Sequence, residues 1–172
     1  MIVVADTTPL NYLILIGYIE LLPAFYRSVL IPQEVHRELQ RPGTPQAVLA
    51  WACSLPGWCE VRLLVSSPDP TLRELDPGER EAIQLALEAG LDTLLMDESE
   101  GRREALRRHL RVTGTVAVLE KAAQYGLINF RTALQRFKRT SGSLPKFETS
   151  LSRETHKRLS AVRYWQTSNA PD

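Results

Sequence analysis

Met1-Ile-Val-Val-Ala-Asp-Thr-Thr-Pro9 decides how the rest of the chain is read. Ile2 to Ala5 are apolar without polar alternation, which is the pattern of a strand covered on both faces in the middle of a parallel sheet. Asp6 follows directly, then Thr8 offers a helix cap and Pro9 a first helical position. In an open α/β sheet the carboxyl ends of strands face the ligand crevice, so Asp6 stands where chemistry is usually done. Taken alone it serves equally well to end a strand and shape a turn.

Outward from this segment, short apolar strands alternate with helices. Strands are expected at residues 29–31, 61–65, 93–96 and 110–112. Helices are expected at 9–16, 19–26, 33–39, 46–54, from Asp76 to about 89, 99–108, 115–125, 130–139 and 150–165. The strongest is the one after Asp76-Pro-Gly-Glu79, with Ile83, Leu85, Ala86 and Leu87 on a broad apolar face and Gly90 at its end. Alternation of this kind argues right-handed β-α-β crossovers, hence an α/β protein whose parallel sheet is sandwiched between helices. The 172 residues suit one domain, 1–165, with basic helices from about 130 and a frayed tail at 166–172.

Composition narrows the function class. With 44% hydrophobic and 24% charged residues the chain reads as soluble and globular, and no leader or membrane span is expected, which favours the cytoplasm. Cys53 and Cys59 lack metal-ligand spacing with His36, His109 and His156, so a zinc site is disfavoured. No G-x-G-x-x-G follows Ala5, and neither a G-K-[ST] loop nor a G-x-S-x-G elbow occurs. Dinucleotide-binding, P-loop and serine-hydrolase chemistry are disfavoured accordingly. Charge is lopsided: residues 1–101 carry 15 of the 20 acids and 6 of the 21 Lys and Arg, and the remainder carries the other 5 and 15. An acidic half beside a basic half suits a cation site next to an anion-binding surface, although basic helices also solvate plain outer faces.

Four acids fall at positions a parallel sheet would bring together. Asp6 and Asp97 each follow an apolar strand, Glu79 lies in the first turn of the helix leading to the strand before Asp97, and Glu38 lies in the helix after the second strand. Hard oxygen donors suit Mg²⁺ or Mn²⁺, and without a cation the acids would raise one another's pKa values. With one, the cluster can activate water and stabilise charge on a phosphodiester oxygen. Each acid also has an ordinary explanation. Asp76-x-x-Glu79 has capping-box spacing, Glu38 suits a solvated face, and Glu98 and Glu100 compete with Asp97 for a ligand's role.

Four blocks together carry a resemblance: Val3-Val-Ala-Asp-Thr-Thr-Pro-Leu10, Ile31-Pro-Gln-Glu-Val-His-Arg-Glu-Leu39, Leu75-Asp-Pro-Gly-Glu-Arg-Glu-Ala-Ile83 and Leu94-Leu-Met-Asp-Glu-Ser-Glu-Gly-Arg102. In this order and spacing they resemble a PIN domain, and most nearly the prokaryotic branch similar to VapC-type toxins of toxin–antitoxin pairs. The resemblance implies a three-layer α/β/α fold with a central parallel sheet and Mg²⁺- or Mn²⁺-dependent cleavage of RNA. It implies a catalytic, metal-binding quartet of Asp6, Glu38, Glu79 and Asp97, with Thr7 or Thr8 supplying the hydroxyl after the first acid. A homodimer and a cognate antitoxin partner are implied as well. The third acid is Glu79 where many members carry Asp, one methylene longer, and residues 42–70 and the basic C-terminal region exceed the shortest toxins. Other readings are a PIN-fold RNA-binding or regulatory module with little catalysis, and a processing or repair nuclease that is not a toxin.

Substrate contacts are expected from Thr7, Thr8, Arg102, Arg103 and Thr115. Arg102-Arg103 and Arg107-Arg108 recur along the helix after Asp97, where they suit phosphates or simply an exposed helix face. Gly114-Thr115 opens a helix after a strand and offers N–H groups to a phosphate or merely a cap. Trp51, Trp58 and Trp165 are expected to pack rather than stack on bases.

Overall fold

The structure, a computed structural model, describes residues 1–141. The helix expected at 150–165, the tail at 166–172 and Trp165 lie outside the described residues. Five strands form one all-parallel sheet in the order β3-β2-β1-β4-β5. They are β1 (Ile2–Ala5), β2 (Ser28–Pro32), β3 (Cys59–Arg62), β4 (Thr93–Leu95) and β5 (Arg111–Thr113). The opening strand does lie at the centre, with Val3 beside Val29 of β2 and Val4 beside Leu94 of β4.

Pleating divides the apolar strand residues between two cores. Val3, Ala5, Val29, Ile31 and Leu95 face one layer of helices. That layer contains α1 (Thr7–Leu15), α2 (Leu21–Phe25), α3 (Gln33–Glu38), α4 (Gln46–Cys53), α7 (Thr115–Gln124) and α8 (Phe130–Ser141). Val4, Leu30, Leu94 and Met96 face the other, built from α5 (Pro77–Glu88) and α6 (Ser99–Arg107). The result is the expected three-layer α/β/α fold. Among the described residues, no helix is long and apolar enough to cross a membrane.

Two boundaries differ from the sequence reading for identifiable reasons. Helix α1 begins at Thr7, with extended Asp6 before it, so Pro9 is its third residue rather than its first. Proline fits there because the first-turn N–H groups of a helix have no partner within it anyway. The third strand is Cys59–Arg62 rather than 61–65, because β2 runs out at Pro32, opposite Arg62, and leaves nothing for the next residues to pair with. Leu63 and Val65 are therefore exposed. The chain beyond is fastened to the end of α5, where the Glu88 carboxylate accepts from the N–H groups of Val65 (2.8 Å) and Ser66 (3.0 Å). The Ser66 hydroxyl contributes most to holding the Glu88 pKa down at about 2, and these N–H bonds add to it.

Tryptophans 51 and 58 pack on one another with ring centroids 6.0 Å apart, against the first core.

Candidate functional site

In the strand order the chain leaves β1 toward β2 on one side and reaches β4 on the other, so the sheet's crossovers diverge between β1 and β4. That is where an open α/β sheet leaves a crevice at its carboxyl end. Asp6 and Asp97 flank it. The Asp6 N–H donates to the Leu95 carbonyl at 2.9 Å, one step beyond the last paired residues of β1 and β4.

Asp6 is 2% exposed, and its side chain has neither cation nor hydroxyl against it among the described contacts. Burial pushes its pKa up to about 8; the Thr7 and Thr8 N–H groups oppose that, while the negative charges of Glu79 and Glu38 add to it. Asp6 follows β1, and the two acids that add to its pKa come from α3 and α5. Glu38 is brought in by α3, which follows β2 without a loop. Its carboxylate accepts from the Thr7 hydroxyl and from the Gly78 N–H at 3.1 Å, with Arg41 Nη2 at 3.4 Å.

Glu79 answers the choice between cap and ligand with one oxygen each. Oε2 accepts from the Asp76 N–H at 3.1 Å, completing the capping box of α5. Oε1 is buried and has no hydrogen-bond partner. Burial raises the Glu79 pKa, the Asp76 N–H opposes it, and Asp76, Glu98 and Glu100 add repulsion. Glu79 also lines an open acidic hollow with Glu74, Asp76, Glu98 and Glu100.

Asp97 is placed differently. Its Oδ1 accepts from the Thr115 N–H at 2.8 Å and its Oδ2 from the Thr115 hydroxyl at 2.6 Å, so the start of α7 holds both oxygens. Burial still raises its pKa, against these two bonds and the nearby Arg102 charge. Arg102 itself donates to the Met96 carbonyl at 2.7 Å.

The other residues singled out from the sequence fall as follows. Thr7 and Thr115 hold acids of the quartet. Thr8 reaches Glu98 Oε1 at 3.5 Å. Arg103 pairs with Glu100 at 3.3 Å and Arg107 with Glu104 at 3.1 Å, both on the exposed side of α6. Arg108 also turns to Glu104 and donates to Thr71 Oγ1 at 2.7 Å, pinning the turn at Pro70–Leu72. Sequence reasoning missed Arg41, whose partners lie in the preceding helix turns, and Tyr12. Burial raises the Tyr12 pKa, and the negative charges of Asp97 and Glu98 add to it. A tyrosine on a helix face carries no sequence signal for that interaction.

The donors are hard carboxylate oxygens, the type Mg²⁺ and Mn²⁺ take. Glu79 Oε1, a buried carboxylate oxygen without a hydrogen-bond partner, fits such an ion. Among the described residues, no three His, Cys, Asp or Glu side chains already surround one point as ligands.

A parallel sheet that winds outward on both sides of β1, with carboxylates at its carboxyl edge, defines an open α/β protein with its crevice between β1 and β4. Residues 2–147 match the sequence profile of a family described as the PIN domain, and the chain belongs to that family. The PIN domain is a nuclease fold. No curated protein matches the chain.

Proposed function

We propose that this protein is an endoribonuclease dependent on Mg²⁺ or Mn²⁺, with Asp6, Glu38, Glu79 and Asp97 as its catalytic and metal-binding residues. The observation that carries the reading is that Glu38 accepts from Thr7, the residue after Asp6, and from Gly78, the residue before Glu79, beside a buried Asp6 whose pKa is pushed to about 8. Such a group is costly to a folded protein unless a cation balances it. When bound, the cation activates water for attack on phosphorus and stabilises the charge that builds on the phosphodiester oxygens.

The chain's own residues do the rest. Asp6, buried with a pKa pushed to about 8, would release its proton on holding a cation. Thr7 and the Gly78 N–H keep Glu38 turned toward Asp6, and Thr115 fixes both oxygens of Asp97. Thr8, Arg102 and Arg103, at the start of α1 and along α6, are the side chains we assign to contact with the RNA backbone. Within prokaryotic PIN proteins, the four sequence blocks favour a VapC-type toxin acting in the cytoplasm as a homodimer under a protein antitoxin.

A binding module with little cleavage is the second reading, favoured by the occupation of both Asp97 oxygens by Thr115. One assay separates the two. The full chain, incubated with a panel of RNAs and Mg²⁺ or Mn²⁺, is expected to cleave, and Asp6→Asn is expected to fold and not cleave. Equal activity in the two proteins would falsify the catalytic assignment. Expression with and without the adjacent reading frame tests the toxin: growth arrest relieved by the neighbour is expected, and harmless expression alone contradicts it.

A further inference from the structure

Three of the four acids lie against a glycine at the start of a helix. Gly78 is the second residue of α5, Gly101 the third of α6, and Gly114 the residue immediately before α7. A methyl carbon placed on Gly101 would lie 2.5 Å from Glu79 Oε1 and 2.5 Å from Met96 Sδ. One on Gly114 would lie 2.6 Å from Asp97 Oδ1 and 3.2 Å from Arg102 Nη1, and one on Gly78 would collide with Glu38 Oε2.

Backbone conformation does not call for these glycines. Gly17, Gly43, Gly90 and Gly126 have positive φ, and Gly78, Gly101 and Gly114 do not. Within a helix, as at Gly78 and Gly101, glycine is less favourable than alanine. What the three share is the near approach of a carboxylate to a helix N-terminus, whose unpaired N–H groups and positive dipole end attract it. The carboxylates are not free to step aside either. Moving Glu38 breaks its bonds to Thr7 and the Gly78 N–H, moving Asp97 breaks two to Thr115, and moving Glu79 breaks the one to Asp76.

We propose that Gly78, Gly101 and Gly114 are positioning residues, each leaving room at the start of a helix for one metal-binding acid. The inference rests on the nuclease reading, since it concerns where those acids stand. Gly101 gives the sharpest case, because the longer side chain of Glu79 fills the space its missing side chain leaves.

The test is a double-mutant cycle on the full chain with Gly101→Ala and Glu79→Asp, reading Mn²⁺ affinity by calorimetry. In the wild-type background Gly101→Ala is expected to weaken Mn²⁺ binding by about tenfold. In the Glu79→Asp background, where the carboxylate is one methylene shorter, the same change is expected to cost less than about twofold. Gly57→Ala, with nothing within 4 Å of the added carbon, is expected to bind like wild type. Metal-free melting temperatures should follow the same pattern, with a drop for Gly101→Ala that shrinks when Glu79→Asp is also present. Equal losses in both backgrounds, or none in either, overturn the role of Gly101. Failure of the unmutated chain to bind Mn²⁺ overturns the nuclease reading and this role with it.

Discussion

The two halves of the acidic crevice are built differently. On the β1 side, Asp6 and Glu79 are buried and Glu38 is half-buried; Asp6 is lifted to about 8 and Glu79 Oε1 has no hydrogen-bond partner. On the β4 side, Asp97 has both oxygens hydrogen-bonded by Thr115 and the Arg102 charge nearby. Arg41 reaches Glu38 at 3.4 Å while Glu79 Oε1 has no hydrogen-bond partner, whereas Asp97 is bonded at both oxygens. A site made only for stability would satisfy both sides, since unpaired buried acids cost free energy. On the proposed reading, the β1 side does most to grip a cation and the β4 side adds Asp97 already oriented.

The strongest way to break the contrast is to exchange the acids for amides one at a time. Asp6→Asn is expected to reduce RNA cleavage by on the order of 10³-fold, the several kcal/mol a metal site supplies. In Mn²⁺ titrations it should weaken binding more than Asp97→Asn does. An Asp97→Asn protein that binds Mn²⁺ more weakly than Asp6→Asn would reverse the assignment of the two sides.

Stability against pH comes next in size. Asp6 binds its proton more tightly folded, at about 8, than unfolded, near 3.8. Its contribution is therefore fully present below about pH 4, declines as pH rises, and is lost above 8, by at most about 1.4 kcal/mol per pH unit. Metal-free melts between about pH 5 and 8 should show this decline flattened in Asp6→Asn, and saturating Mn²⁺ should offset it in wild type. Identical pH profiles for wild type and Asp6→Asn would contradict the burial of an unbalanced acid.

Smaller effects sharpen the β4 side. Thr115→Val keeps the N–H bond to Asp97 and removes the hydroxyl, so cleavage should fall about 10- to 100-fold with the fold intact. Smallest of all is Arg103→Ala. Its pair with Glu100 is exposed on both sides, so thermal unfolding should show a stability change of no more than about 0.5 kcal/mol, and any effect should appear in RNA affinity instead.

Much of this architecture is legible in the chain. The unbroken apolar run of Ile2–Ala5 gives the central strand, and Asp76-Pro-Gly-Glu79 gives the start of α5, because both depend on local chemistry. The end of β3 is not legible, since it is set by where β2 turns into α3 at Pro32, a fact about another strand. The places of Asp6 and Asp97 after strands and of Glu79 in the first turn of α5 are legible, whereas Glu38, the last residue of α3, carries no local signal of its own. The partners of the acids are not legible: Thr7 meets Glu38 across 31 residues and Thr115 meets Asp97 across 18, and both contacts exist only once the sheet has assembled. The same holds for Gly101, whose purpose is visible only beside Glu79.

Calorimetric titration of Mn²⁺ into the metal-free full chain near pH 7, in two buffers of different ionisation enthalpy, tests the central claim most directly. Saturable binding with release of close to one proton, lost in Asp6→Asn, is the predicted result, because Asp6 is protonated at that pH until a cation displaces the proton. Absence of binding, or binding that releases no proton and survives Asp6→Asn, would contradict it.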